Sequence, residues 1–291
     1  MKKLLLSLAF FCVFSSVFAY EYADERLKHY VEKQDIDGIK AWLSVNSANK
    51  NYVIPGSDLT VLMLACQKNW KEGVRFLLEK DCNVDYRNSQ KQTALMIAAK
   101  FNQDDAIVNM LLDKGANVEN VDKEKRTPLM YACEAGNSAI VEVLIDHNAS
   151  LAAQSIDGNT AIMYAVRKGK IKVVRRLLQE PDDSPAMSNN KGENILTIAM
   201  TSAGDPTVML RTIRDGNSGI SPSIKTANDM PVLLWAIANR KSPEVIKILL
   251  DWYQPPELIF DVKDNMGNDI EYYAKKYKNN LVRKHIEFAR D

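Results

Sequence analysis

The stretch RTPLMYACEAGN, Arg126–Asn137, decides the fold because its core recurs. Its TPLMYAC segment aligns with TVLMLAC (Thr60–Cys66), TALMIAA (Thr93–Ala99), TAIMYAV (Thr160–Val166) and NILTIAM (Asn194–Met200), so first residues fall 33, 34, 33 and 34 apart. A period that regular marks stacked supersecondary units, none of which buries its apolar face alone. In the first four copies a few polar residues lead to a second apolar run: GVRFLLEK, AIVNMLLDKG, AIVEVLIDH and IKVVRRLLQ. Turn-like stretches such as CNVDYRNSQKQ and GANVENVDKEKR then lead onward. One unit reads as helix, turn, helix, hairpin.

Each residue type in the unit has a physical reason. Thr60, Thr93, Thr127 and Thr160 stand where the chain leaves a hairpin for a helix, and a hydroxyl there can accept a backbone N–H that the first turn leaves unpaired. Pro128 fits just inside such a start, where a missing donor costs nothing. Ala65, Ala98, Ala132 and Ala165 allow close helix stacking, and Gly136 and Gly169 fall at the turn between helices. Val74, Leu77 and Leu78, with their counterparts Val141, Leu144 and Ile145, are predicted to point into the core. Two weaker copies, PVLLWAI (Pro231–Ile237) and DIEYYAK (Asp269–Lys275), follow at spacings of 37 and 38, which predicts insertions in the preceding hairpins. RLKHYVEKQDIDGIKAWL (Arg26–Leu43) reads as a further helical pair.

Period, order and the Thr-Pro-Leu-x-x-Ala signature resemble the ankyrin repeat family. The resemblance implies an all-α solenoid of stacked helix-turn-helix units with short β-hairpin-like loops. Residues 20–58 then form an N-terminal helical cap or degenerate repeat, 59–193 four clear repeats, and 194–291 degenerate repeats with longer loops and a C-terminal cap. The family's histidine is replaced by Met63, Met96, Met130 and Met163, a flexible apolar chain that packs where the imidazole would hydrogen-bond. A ladder of methionines binding a soft metal is disfavoured, because neighbouring repeats lie roughly 8–10 Å apart and two sulfurs could not share one ion.

The chain opens with MKKLLLSLAFFCVFSSVFA: two lysines, an apolar run, and small residues before a cut at position 19. That is the pattern of a secretory signal peptide, residues 1–19, with the mature chain starting at Tyr20. The expected destination is the periplasm of a bacterium, with secretion as the second choice. No later segment reaches roughly 18 apolar residues, so no transmembrane span is expected after cleavage. Beyond the leader, 36 basic residues face 37 acidic ones, which gives no global case for nucleic-acid binding. Cys66, Cys82 and Cys133 replace small buried residues, and free thiols are expected, with a Cys66–Cys82 bridge left open. His29, His147 and His285 lack metal-ligand spacing, and neither GNSG (Gly216–Gly219) nor the carboxylate pairs Asp104-Asp105 and Asp182-Asp183 form a catalytic constellation. No catalytic residue, metal or cofactor is expected.

A surface remains. In the family, partners meet the concave side, built from hairpin tips and the positions two and three after the packed alanine. Carried onto this chain, the candidate partner-binding residues are Lys91, Lys100, Phe101, Lys123, Arg126, Ile156, Arg167 and Lys168. Over repeats 2 to 4 this ridge holds Lys91, Lys100, Lys123, Lys125, Arg126, Arg167 and Lys168 against Asp122, Glu124, Glu134 and Asp157, an excess of 7 − 4 = 3 positive charges that suggests an acidic partner surface. The expected function is a monomeric, non-enzymatic protein-binding scaffold in the bacterial envelope. The alternative is an exported effector or toxin-immunity protein that also acts by binding.

Overall fold

The structure, a computed structural model, describes residues 26–45, 51–54, 56–181, 184–202, 204–216, 220–226 and 228–290. The expected leader and the start at Tyr20 lie outside the described residues, as do Asp182-Asp183 and most of GNSG. The chain is all-α in helix-turn-helix repeats and divides into two compact units, Met1–Lys123 and Glu124–Asp291.

In the first unit, helical residues 26–32 (α1) and Ile36–Val45 (α2) precede a two-stranded hairpin, Val53–Ile54 (β1) with Leu59–Thr60 (β2), paired antiparallel as Val53↔Thr60 and Ile54↔Leu59. Two repeats follow: Val61–Gln67 (α3) with Lys71–Glu79 (α4), and Ala94–Phe101 (α5) with Ala106–Asp113 (α6). First helix packs on first helix and second on second. In the second unit the first helices are Pro128–Ala135 (α7), Ala161–Arg167 (α9), Ile195–Ala199 (α11), Val232–Ala238 (α13) and Ile270–Lys276 (α15). The second helices are Ser138–Asp146 (α8), Ile171–Leu177 (α10), Pro206–Asp215 (α12), Pro243–Leu250 (α14) and Asn280–Arg290 (α16), and each packs on the next.

The caps explain why helices begin where they do. Thr60, Thr93 and Thr127 accept the backbone N–H of Met63, Met96 and Met130, at 3.2, 3.4 and 3.3 Å. Asn194 takes the same place in α11 and builds a reciprocal box with Thr197. Thr160 departs from the pattern: its backbone is extended like the others, but its buried hydroxyl makes no cap bond and has no partner. Pro128 opens α7 as expected.

The hairpins repeat a single local device. A left-handed residue sits two places before each first-helix cap: Asp58, Lys91, Lys125, Gly158, Gly192, Asp229 and Gly267. Their spacings are 33, 34, 33, 34, 37 and 38, the period read from the signature. Carbonyl closures recur around them, as in Lys91 N–H to Asn88 O at 2.8 Å, Gly158 to Ser155 at 2.9 Å and Gly267 to Asp264 at 3.1 Å. The 38-residue spacing accommodates a 3₁₀ helix at Pro256–Asp261 between α14 and α15.

The packed alanines Ala65, Ala98, Ala132 and Ala165 are fully buried, and Met63, Met96, Met130 and Met163 lie in the core beside them. Removing these side chains from water supplies the stacking energy, on the order of 25 cal/mol per Å² of apolar surface. Ile145 differs from its expected burial. Its counterpart Leu78 is covered, whereas Ile145 is only half-buried in the last turn of α8. Cys66, Cys82 and Cys133 are buried free thiols, so the Cys66–Cys82 bridge is not formed. Burial pushes the Cys66 and Cys133 thiols far above their ordinary value, which leaves them neutral and unreactive.

Candidate protein-binding site

The eight candidate residues divide between the two units. In the first, Lys91 occupies the left-handed tip position, with φ 59°, and Lys123 donates its N–H to Gln90 O at 3.0 Å, which stitches neighbouring tips together. Ser89 is tied likewise to the Asp58 carboxylate. Phe101 ends α5 with 45% of its surface exposed, and the Lys100 ammonium stands 5.0 Å from its ring centroid. That geometry holds a cation against an aromatic face. Beside it, Lys71 bridges Asp104 at 2.6 Å, and this pairing holds the Asp104 carboxyl below its usual range.

In the second unit Arg126, Ile156 and Lys168 are joined by polar contacts. Ile156 N–H donates to Glu124 O at 2.8 Å, and Asn190 Nδ2 donates to Ile156 O at 2.7 Å. Both backbone groups of Ile156 are therefore fixed while its side chain stays 54% exposed. The Glu124 carboxylate lies 3.5 Å from Arg126, Arg126 lies 3.8 Å from Glu134, and Glu134 is shared with Lys168 at 3.3 Å. Arg126 also donates to the Tyr131 hydroxyl at 2.7 Å, so it braces α7 as well as facing solvent.

Arg167 pairs with Glu193 at 3.0 Å. Glu193 is partly desolvated, which raises its pKa, but bonds from Asn189 and Arg167 and the charges of Arg167 and Lys191 outweigh that and hold it below the usual carboxylate range. Sequence reasoning missed Glu193 because the ridge was counted only over repeats 2 to 4. It directly precedes the Asn194 cap just as Arg126 precedes Thr127, so extending the same alignment by one repeat finds it.

These pairings refine the charge count. Asp122, counted on the ridge, is buried at 3% exposure. On the second unit the same positions, extended to the next tip, hold Lys125, Arg126, Arg167, Lys168 and Lys191 with Glu124, Glu134, Asp157 and Glu193, five positive charges and four negative. Arg126, Arg167 and Lys168 are each paired, so this face is a grid of paired charges with one exposed apolar residue among its candidates. The remaining cations, Lys91, Lys100 and Lys123, belong to the other unit.

A family model described as ankyrin repeats (3 copies) matches residues 27–122 and 95–187, more than half of the chain. The chain belongs to the ankyrin repeat family. Ankyrin repeats generally mediate protein–protein interaction and are typically non-enzymatic, which is consistent with a binding scaffold. No curated protein matches the chain. Among the described residues, no helix of this ankyrin protein is long and apolar enough to cross a membrane, and no group of three or more His, Cys, Asp or Glu could hold a metal ion.

Proposed function

We propose that the chain is a non-enzymatic scaffold of the bacterial envelope that is exported, acts in the periplasm, and holds a protein partner against the hairpin tips and first-helix ends of its second unit. One observation carries this reading: the chain of contacts Ile156–Glu124–Arg126–Glu134–Lys168, which ties an ordered set of charged groups to the backbone of an exposed isoleucine before any partner arrives. A side chain whose backbone is already ordered loses less freedom on binding, so an exposed apolar side chain on a fixed tip can anchor a partner at lower cost. Most cations of the grid are already paired, so recognition there rests on shape and apolar contact more than on an acidic partner. The leader pattern over residues 1–19 supports export.

Affinity capture from envelope extract tests the site. The Ile156→Asp protein should lose the species that wild type retains, while its thermal melt stays within a few degrees of wild type and a Lys172→Glu control captures normally. Equal capture by wild type and Ile156→Asp would remove this face as the site. N-terminal sequencing of native protein should begin at Tyr20, and a retained Met1 would overturn the export reading.

A further inference from the structure

On the second helices of the second unit, α10 and α12 pack side by side and leave an open cleft of about 550 Å³, within the size range of ligand pockets. It is lined by Arg175 and Gln179 from α10 and its end, and by Val208, Arg211, Thr212, Asp215 and Gly216 from α12 and its end. Arg175 and Arg211 hold the same place in the two helices. Each directly follows a buried pair, Val173-Val174 and Met209-Leu210, so both leave the core and both are exposed. Packed helices stand roughly 8–10 Å apart, so two arginine side chains at matching places can reach one group held between them. In α8 that place, after the buried pair Ile140-Val141, is filled by Glu142.

Among the described residues, the carboxylates of these two helices and their ends are already engaged. Asp215 accepts from Arg214 Nε at 2.9 Å, and Glu180 takes Arg176. Asp205 takes the Thr207 N–H and hydroxyl at 2.8 and 2.7 Å, and these bonds, with a smaller pull from the Arg211 charge, hold its carboxyl below the usual range. Arg175 and Arg211 make no hydrogen bond or ion pair among the described residues. Thr212 is buried and donates its hydroxyl to Val208 O at 2.9 Å, while a Cβ on Gly216 would stand 2.6 Å from Leu178, so the backbone there closes the cleft. Two guanidinium forks, the Gln179 amide and a Val208 side chain 45% exposed are what remains to meet a ligand.

Two free cations with no free anion select a negatively charged ligand. A lone carboxylate offers two oxygens, which one fork fills, and leaves the other guanidinium unmatched. A phosphate monoester carries about two negative charges at neutral pH and three acceptor oxygens, enough for both forks and for the amide beside them. The cleft exceeds a bare phosphate in size, and Val208 adds apolar surface, so the phosphate fits as the head of an organic molecule.

We propose that this cleft binds the phosphate monoester group of an organic ligand, presented by a soluble molecule or by a lipid headgroup. The site lies on second helices, is separate from the Ile156 tip and does not depend on it.

The test is calorimetric titration of the full chain with phenyl phosphate, paired with co-sedimentation on phosphatidylcholine vesicles with and without phosphatidic acid. The expected result is saturable binding of phenyl phosphate, weakened at least about tenfold in Arg175→Gln and in Arg211→Gln, because each removes charge-assisted bonds. Arg211→Lys keeps the charge, loses the fork and should weaken binding too, whereas Lys284→Gln on α16 should not. Benzoate and inorganic phosphate should each bind more weakly than phenyl phosphate. Both arginines are exposed, so the melts of these variants should stay within a few degrees of wild type. Pelleting that requires phosphatidic acid and is lost in Arg175→Gln would name a lipid headgroup as the source, and phenyl phosphate binding without pelleting would name a soluble ligand. The Ile156→Asp protein should bind phenyl phosphate like wild type, so loss of partner capture and loss of phosphate binding can be told apart. No saturable binding of phenyl phosphate or of phosphatidic acid vesicles, unchanged affinity in both glutamine variants, or benzoate or inorganic phosphate bound as tightly as phenyl phosphate would overturn the proposal.

Discussion

Within the second unit, the regular repeats up to Asn194 and the stretched ones after it use the same turn and join their neighbours differently. In the regular part, hairpin tips bond backbone to backbone: Ile156 N–H to Glu124 O at 2.8 Å and Asn190 N–H to Asp157 O at 3.0 Å. In the stretched part, side chains make the ties, as in Asn194 Nδ2 to Lys225 O at 3.1 Å and Tyr253 to Pro222 O at 3.0 Å. A backbone tie requires the two tips to sit at one fixed spacing. A side-chain tie spans a gap, and between the two stretched hairpins the gap is a cleft lined from residues 221–231 and 252–263. Three or four extra residues per period therefore convert a closed ladder into a bridged opening without changing the turn.

Alanine placed at the left-handed glycines tests this difference most severely. Gly158, in the ladder, has φ +77°, and a Cβ there would stand 2.7 Å from the Asn190 backbone nitrogen. Strain plus overlap predicts that Gly158→Ala costs about 2–5 kcal/mol. Gly267, in the stretched part, has φ +80° and nothing within 4 Å, so Gly267→Ala should cost only the left-handed strain, about 1–2 kcal/mol. Urea unfolding of both variants checks the contrast, and equal losses would mean that the ladder is no tighter than the bridged region.

A finer comparison lies inside the regular part. Thr127 caps α7, so Thr127→Val should cost about 0.5–2 kcal/mol, because it strands the Met130 N–H. Thr160 stands at the same repeat position with a buried hydroxyl that has no partner, so Thr160→Val should change stability by less than about 0.5 kcal/mol or raise it. Parallel melts that showed the same loss for both would contradict the difference in hydroxyl bonding between these two caps.

The smallest expected effect is conditional on pH. Burial pushes Asp264 up, but bonds from Asn268, Tyr273 and Met266 outweigh it and hold the carboxyl below 3.8. A folded pKa below the unfolded one adds stability that is complete above the unfolded value and lost as pH falls through the folded value. Asp264→Asn should therefore be less stable than wild type at neutral pH, with the gap narrowing only below about pH 4. A gap that narrowed between pH 5 and 8 would point to a different group.

The legibility of the fold follows from how local its determinants are. Cap, packed alanine and left-handed turn each act within a few residues, so their spacing in the sequence is their spacing in the stack, including the 37 and 38 of the stretched copies. What escaped was set by pairs far apart in sequence. Arg167 meets Glu193 across 26 residues, and Glu134 is shared by Arg126 and Lys168, so cations that count separately along the chain are paired in space on the second unit. Asp122 reads as an exposed tip charge and is buried. The stretched spacing announced an insertion, but not that two insertions would face each other across a cleft with an aromatic wall.

The sealed thiols have a kinetic consequence. Cys66 lies in one unit and Cys133 in the other, both fully covered and both protonated, so no reagent in solution can reach either while its repeat is closed. Each sulfur is a clock for the transient opening of its own unit, since alkylation proceeds only during the moments when that unit comes apart. The chain thus carries, without any added label, a separate timer for the breathing of each half.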